Sequence, residues 1–333
     1  RNRDSLVRLA EVLGTFQYKN QSLQAWREAS SFDLNFEQKR RFARVLLDAE
    51  AFESAIVQLE AAESIAQSRD ERQQILRDQI TAYSESGRLA QKIAQVANQE
   101  PSIQNRLFLA LLFLADDQLL RAGRSIENAV ARSPDHVETL VVAAEIAERQ
   151  NRWFDAIELY QRLKELDGRF RTKYLRQIVM LYRDLGDFDK ALQAASDLID
   201  AAPSSTNSYQ IFAEIALTLG RDEEAVTALR VAIEYAPREN SNRLMLADYL
   251  ASRFFTEEAI ELYWEAMVHE ADWKRRRDLV QTLSPLYERR GQSEQLLRRL
   301  ERFGSDTKDR HQMQRLAASV WQAMGDPQRA GFI

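Results

Sequence analysis

The stretch Gly186–Pro203 reads GDFDKALQAASDLIDAAP, with Ala191 five residues after the glycine and the proline twelve residues after that alanine. The segment Gly220–Pro237 reads GRDEEAVTALRVAIEYAP and places a glycine, an alanine and a proline at the same intervals. One copy of this pattern predicts a helix with a turn at each end. Two copies in register predict a repeated unit that stacks on its neighbours.

The small residue recurs when this register is extended along the chain. It is met again at Ala55, Ala122, Ala156, Ala259 and Ala330. Ser22 and Leu296 take its place in two further repeats, and the third repeat, around Gly87, has a shortened second half. The register predicts ten repeats, the last of them cut short. Their predicted starts lie near residues 3, 36, 73, 103, 137, 172, 206, 240, 277 and 311.

Each complete repeat is predicted to form two helices joined by a short turn. Apolar residues of the first helix recur at helical spacing, as at Leu175, Ile178 and Tyr182, and make a stripe on one face. Glycine suits the turn because it adopts positive φ without steric cost, and proline ends the second helix. The small residue lets the second helix approach the first, since a larger one would overpack the contact at a cost of about 1–3 kcal/mol.

The 34-residue step and the Tyr-Gly-Ala-Pro pattern of residues 182–203 resemble the tetratricopeptide repeat. The resemblance covers essentially the whole chain, is strongest over residues 137–271, and is weaker over residues 73–102 and in the first repeat. It implies an all-α fold, a right-handed superhelical solenoid of antiparallel helix pairs forming one domain, with first helices that line a concave, peptide-binding groove. Pentatricopeptide repeats, which bind RNA, are disfavoured by the net charge of −5 and by the Gly–Ala–Pro spacing.

The composition is that of a chain that can bury a core. Hydrophobic residues make up 45% of it, and only 10 glycines and 6 prolines are present, which argues against a loop-rich or all-β fold. No window holds the run of about 18 apolar residues that a membrane span needs. The absence of cysteine excludes disulfides, thiolate metal sites and a cysteine nucleophile, but leaves the compartment open. Because the chain begins at Arg1 and stops within a repeat, it is expected to be part of a longer protein. The irregularity of its repeats suggests a bacterial source.

The sequence contains no recognisable catalytic constellation. Its three histidines, His136, His269 and His311, have no partner at a metal-ligand spacing such as H-E-x-x-H, and are expected to be surface or capping residues. No glycine-rich phosphate loop and no G-x-S-x-G motif occurs. The sequence therefore predicts neither an enzyme nor a bound cofactor or metal.

The fourth repeat contains LFLALLFLA, residues 107–115, which is apolar on every face. A packed helix needs only one buried stripe, which Leu109, Ala110 and Phe113 are expected to provide. The residues left for the groove are Leu107, Phe108, Leu111 and Leu114, with Val141 and Val142 of the next repeat. Such an exposed apolar patch marks a partner site. The alternative is burial of these residues by neighbouring parts of the chain.

A second candidate is the basic run Lys274, Arg275, Arg276 and Arg277, which lies where the step between the eighth and ninth repeats is too long. One reading is a docking point for an acidic partner or phosphate, and the other is a solvated helix start. The Lys/Asn/Arg set with which some tetratricopeptide proteins grip a C-terminal carboxylate is missing. Arg40, Arg41 and Arg44 have no groove asparagine to continue the set.

Two functions fit these observations. The first is a non-catalytic scaffold that binds a protein or peptide partner, and not nucleic acid, in its groove within a larger assembly. The alternative is the tetratricopeptide region of a cell-envelope, exopolysaccharide-export or glycosyltransferase-type protein whose active part lies outside this chain. A stripe at Leu316, Val320 and Trp321 in the incomplete last repeat would also allow self-association if it were exposed.

Overall fold

The computed structural model describes residues 2–305 and 310–323. The regular elements of this part are α-helices, with one short 3-10 turn at Gly168–Phe170. The contacts within the chain divide it into two compact bodies, Arg1–Arg169 and Phe170–Ile333. An all-α fold built of helix pairs is therefore confirmed within each body, while the interpretation of residues 1–333 as one domain stays a prediction.

The N-terminal body contains five helix pairs in chain order, each helix packed against the next. They are α1 (Arg3–Thr15), α2 (Lys19–Ala29), α3 (Phe36–Asp48), α4 (Phe52–Glu63), α5 (Arg69–Glu85), α6 (Leu89–Ala97), α7 (Ile103–Ala115), α8 (Leu119–Arg132), α9 (Val137–Arg149) and α10 (Trp153–Leu166). One apolar cluster lies among α1–α4, and a larger one runs from α3 to α10.

The C-terminal body repeats the same arrangement. Its helices are α11 (Arg171–Asp184), α12 (Phe188–Ala201), α13 (Thr206–Thr218), α14 (Asp222–Tyr235), α15 (Ser241–Ser252), α16 (Thr256–His269), α17 (Trp273–Arg289), α18 (Ser293–Ser305) and α19 (Arg310–Ala323). Gly325 and Ala330, which the sequence assigns to the tenth repeat, lie outside the described residues.

Two first helices begin one turn earlier than the predicted repeat starts. Helix α5 begins at Arg69 where the prediction is residue 73, and α17 begins at Trp273 where the prediction is residue 277. Ser68 caps α5 through a reciprocal capping box with Glu71, and the Asp272 side chain accepts a hydrogen bond from the backbone of α17. The other eight predicted starts fall within one residue of a helix start.

The turn inside each of the nine helix pairs contains one residue in the left-handed region. Four of these residues are glycines, including Gly186 (φ 73°) and Gly220 (φ 71°), and five are Gln17, Glu50, Asp117, Asn151 and Phe254. The next residue donates its N–H across the turn to a carbonyl of the last helical turn, as Asp187 does to Tyr182 at 2.9 Å. This is the Schellman ending of a helix, which reverses the chain within three residues.

In six of the nine helix pairs a small residue is buried at matching positions of both helices. The predicted small residues of the second helices are fully buried: Ala55, Ala122, Ala156, Ala191, Ala225 and Ala259. The first helices carry a second buried small set, seven residues before the left-handed turn residue: Ala10, Ala43, Ala110, Ala144, Ala213 and Ala247. The two sets meet directly in the first pair, where Ser22 Oγ donates to the Ala10 carbonyl at 2.7 Å. Ser22 thus replaces alanine without opening the contact.

The sixth repeat has Val179 at the first-helix position, and the ninth has Leu296 at the second-helix position. The third repeat lacks a small residue at both positions. The equivalent positions hold Ile80 and Lys92, and the second helix α6 has only 9 residues. The Lys92 side chain is largely buried, with its Nζ 4.8 Å from the centroid of the Tyr83 ring and 3.7 Å from Glu60 Oε1. In the regular pairs a small residue at this position lets the two helices approach. Here the aliphatic part of the Lys92 side chain occupies that space. The sequence prediction of a shortened second half is confirmed.

Phe254 offers a direct test of the turn geometry, because a bulky residue with φ of 65° and 84% exposure is strained without packing in return. Phe254→Gly is expected to raise the free energy of unfolding by about 1 kcal/mol, measured as a higher urea midpoint. Phe255→Gly is the matched control, since Phe255 has an ordinary φ of −77°. It should lower the midpoint through added freedom of the unfolded chain, and a rise in both variants would contradict the assignment.

Candidate functional site

Three consecutive first helices, α5, α7 and α9, enclose a small pocket of about 100 Å³. We call it the first-helix pocket. Leu107 and Val142, both buried, are its apolar floor. Its half-buried walls are Leu76, Ile80, Leu111 and Val141. The pocket therefore gathers four of the six predicted groove residues around one point.

For Leu107 and Val142 the structure shows burial, which is the alternative to an exposed groove position. Leu107 is 4% exposed and Val142 is 9% exposed, and both belong to the main apolar cluster of the N-terminal body. Helix α7 packs against α5 on one side and α9 on the other, in addition to its own partner α8. Helix α7 also packs against α6, and a helix with four neighbours buries more than one stripe, so packing partly explains the all-round apolar sequence.

The other two predicted groove residues of α7 lie outside the pocket lining. Phe108 is half-buried, and the Nζ of Lys92 in α6 lies 5.9 Å from its ring centroid. Leu114 is half-buried against the same apolar cluster. Conversely, Leu109, expected in the core, is only half-buried, while Leu112 is completely buried. Ala110 and Phe113 are buried as predicted, and Leu107 and Leu112 widen the core face of α7 on either side of them.

Charged side chains surround the mouth of the pocket. Arg77 of α5 and Glu145 of α9 are exposed on opposite sides of it, and Glu138 is half-buried between them. Glu145 also forms an i,i+4 ion pair with Arg149 at 3.0 Å. The pocket thus combines an apolar interior with side chains of both charges at its edge.

The neighbouring part of this face, between α3 and α5, is closed by a polar network. Arg40 Nε donates to Asp78 Oδ2 at 2.7 Å, and Arg44 Nη2 donates to Asp78 Oδ1 at 3.3 Å. The Arg40 and Asp78 side chains are only 11% and 14% exposed. Arg40 and Arg44 therefore pair with a carboxylate of the chain itself. This agrees with the missing Lys/Asn/Arg set for the C-terminal carboxylate of a partner.

The basic run forms the first turn of α17 in the C-terminal body. Lys274, Arg275 and Arg277 are exposed, and Arg276 is half-buried with its Nε donating to the Glu270 carbonyl at 2.6 Å. Arg277 lies 3.4 Å from Asp278. Positive charge at a helix N-terminus is unfavourable with respect to the helix dipole. The exposure of three of the four side chains corresponds to the second reading of the run, a solvated helix start.

The stripe proposed for self-association is buried where the structure describes it. Leu316 and Val320 of α19 are 2% and 4% exposed, because α19 packs against α18. The condition for self-association, exposure of these two residues, is therefore not met. The side chain of Trp321 lies outside the described residues.

The described residues contain no group of three or more His, Cys, Asp or Glu side chains that could hold a metal ion. Nor does any described helix have the length and apolar character of a membrane span. His136 caps α9, with its Nδ1 2.7 Å from Thr139 Oγ1, as expected for a capping histidine. Burial raises the pKa of the Tyr83 hydroxyl, which donates to Glu60 Oε1 at 3.3 Å and so stays protonated at neutral pH.

A family model described as Tetratricopeptide repeat matches residues 109–169 and 177–242. These two segments are tetratricopeptide repeats. They include the Gly186–Pro203 and Gly220–Pro237 stretches, so the family predicted from that spacing is confirmed there. The tetratricopeptide match also includes Leu111, Val141 and Val142 of the first-helix pocket.

Solved structures with similar helical repeats include the proteins MamA and YrrB. A MamA structure is 18% identical, overlaps 50% of this chain and 98% of its own, and gives a TM-score of 0.38. YrrB, described as a TPR protein with an unusual peptide-binding site, is 13% identical over 55% of this chain and 93% of its own, with a TM-score of 0.40. No curated protein matches the chain.

Substitution of two leucines of α7 distinguishes a buried core position from a position in the pocket wall. Leu107→Ala is expected to lower the free energy of unfolding by about 2–5 kcal/mol, because it empties buried space. Leu111→Ala should cost about 1 kcal/mol, since its side chain is half-buried. Urea unfolding followed by circular dichroism compares the two, and equal losses would contradict the assignment of floor and wall.

Proposed function

We propose that this chain is a non-catalytic protein-interaction scaffold, which holds an apolar side chain of a partner segment in the first-helix pocket. The observation that supports this proposal is the combination of an apolar floor at Leu107 and Val142 with exposed Arg77 and Glu145 at the rim. In the tetratricopeptide family the first helices line the side on which peptides bind, and this pocket is made by three first helices.

The size of the pocket favours a side chain as its occupant. Sites for cofactors and drug-sized ligands have volumes of about 300–1,000 Å³, whereas this pocket has about 100 Å³. Burying one large aliphatic or aromatic side chain contributes about 1.5–3 kcal/mol. A single such anchor gives weak binding, so further contacts along the face are needed for a stable complex.

The charges at the rim would supply direction and selectivity. Arg77 and Glu145 carry opposite charges on opposite sides of the opening. A partner segment with complementary charges on each side of its apolar anchor is favoured in one orientation and disfavoured in the reverse one. Beyond α5 the face is occupied by the Arg40–Asp78 pair, so the apolar contact is confined to α5, α7 and α9.

The test uses peptides selected from a random display library on the full chain, and then measured by fluorescence anisotropy. Leu111→Asp places a charge in the pocket wall and is expected to weaken binding of the selected peptide by at least about tenfold. The control is Leu120→Asp, which changes an exposed leucine of α8 outside the pocket. It should leave the affinity within about twofold.

Circular dichroism of both variants distinguishes lost binding from lost folding. If folded Leu111→Asp and Leu120→Asp bind the peptide as well as the unchanged chain, the pocket is not the binding site. A selection that yields no binding peptide would also contradict the proposal.

A further inference from the structure

The face formed by the second helices carries a cleft that the first-helix pocket does not involve. It lies between α6 and α8, over α7, and has a volume of about 380 Å³. Helix α6 has 9 residues whereas α8 has 14, and the cleft opens beside the end of α6, near Val96 and Gln99. The shortened third repeat thus leaves unfilled space against the fourth.

Three arginines line this space, which we call the arginine cleft. Arg106 comes from α7, and Arg121 and Arg124 come from α8. No aspartate or glutamate lines the cleft, although the chain as a whole has a net charge of −5. None of the three arginines forms an ion pair with the described residues 2–305 and 310–323. Arg106 Nε is buried without a hydrogen-bond partner in that part of the chain.

Other contacts between successive second helices match arginine with carboxylate. Arg152 at the start of α10 lies 2.7 Å from Glu127 of α8, and Arg230 of α14 lies 3.0 Å from Glu258 of α16. Helix α6, with the sequence LAQKIAQVA over Leu89–Ala97, contains no acidic residue. The arginines of the cleft therefore lack the carboxylate that neighbouring second helices provide elsewhere.

The cleft also holds one arginine in place over an apolar floor. The Arg121 guanidinium carbon lies 4.4 Å from the centroid of the buried Phe113 ring, and its Nη1 donates to Gln118 Oε1 at 2.7 Å. Leu109 is half-buried beside this ring. A guanidinium carries five N–H donors, so an ordered arginine of this kind retains donors for a carboxylate.

We propose that the arginine cleft is a second binding site, which takes an acidic segment of a partner protein. A carboxylate of the segment binds among Arg106, Arg121 and Arg124, and an adjacent apolar side chain covers Leu109. Arginine pairs with carboxylates in a two-pronged geometry, and the same face already uses arginine–carboxylate pairs between its helices. The apolar floor at Leu109 and Phe113 favours a peptide that carries an apolar side chain over the phosphate groups of a nucleic acid.

The test measures the binding of a fluorescein-labelled peptide, Glu-Glu-Leu-Glu-Glu-Leu, to the full chain by fluorescence anisotropy. The matched peptide has glutamine in place of each glutamate. The acidic peptide should bind at least about tenfold more tightly than the glutamine peptide, and Arg121→Glu/Arg124→Glu should weaken it at least about tenfold. Arg27→Glu/Arg238→Glu, which makes the same charge change at exposed arginines elsewhere, should leave binding within about twofold.

A second variant keeps all three arginines. Gln99→Glu places a carboxylate at the cleft lining, and should weaken the acidic peptide because the arginines then have a partner within the chain. Leu111→Asp should not affect this binding, which separates the cleft from the first-helix pocket.

Three results would overturn the proposal. The first is equal binding of the acidic and glutamine peptides, including no binding of either. The second is equal loss in the cleft variant and the distant double variant, which would indicate general charge attraction. The third is displacement of the peptide by inorganic phosphate or a single-stranded oligonucleotide at lower concentration than by unlabelled peptide, which would assign the cleft to phosphate groups.

Discussion

The contact between a small residue of the first helix and a small residue of the second, found at both positions in six of the nine helix pairs, is the constraint on which the structure depends. Ser22 Oγ reaches the Ala10 carbonyl at 2.7 Å, and Ala213 and Ala225 are completely buried at the same positions of a later pair. Helices that approach this closely need a tight reversal between them. The left-handed residue in each of the nine turns provides it, even where that residue is Phe254.

Both candidate binding sites adjoin the third repeat, which has no small residue at either of these positions. The third repeat has Ile80 and Lys92 at the closing positions. Ile80 of the long α5 is a wall of the first-helix pocket, and the short α6 opens the arginine cleft on the other side. The irregular repeat therefore contributes to both of the surfaces that we assign to partners.

The glycine, alanine and proline spacing was enough to predict the helix pairs, since each of these residues acts locally. The turn at Phe254 could not be predicted that way, because its backbone is imposed by the packing of the pair. Burial of Leu107 and Val142 could be stated only as an alternative, because it depends on three helices meeting, which one repeat cannot reveal. Leu76 and Ile80 escaped notice because their repeat has no clean register, although the capping box at Ser68 and Glu71 marks the true start of α5.

The most direct test of this account is the stability of Ala225→Leu, measured by urea unfolding beside Thr227→Leu. Ala225 is completely buried at the closing contact of α13 and α14, whereas Thr227 is exposed on the same helix. The account predicts a loss of about 1–3 kcal/mol for Ala225→Leu through overpacking, and no loss for Thr227→Leu, since leucine is the better helix former. Equal stability of the two variants would contradict the claim that the small-residue contact sets the fold.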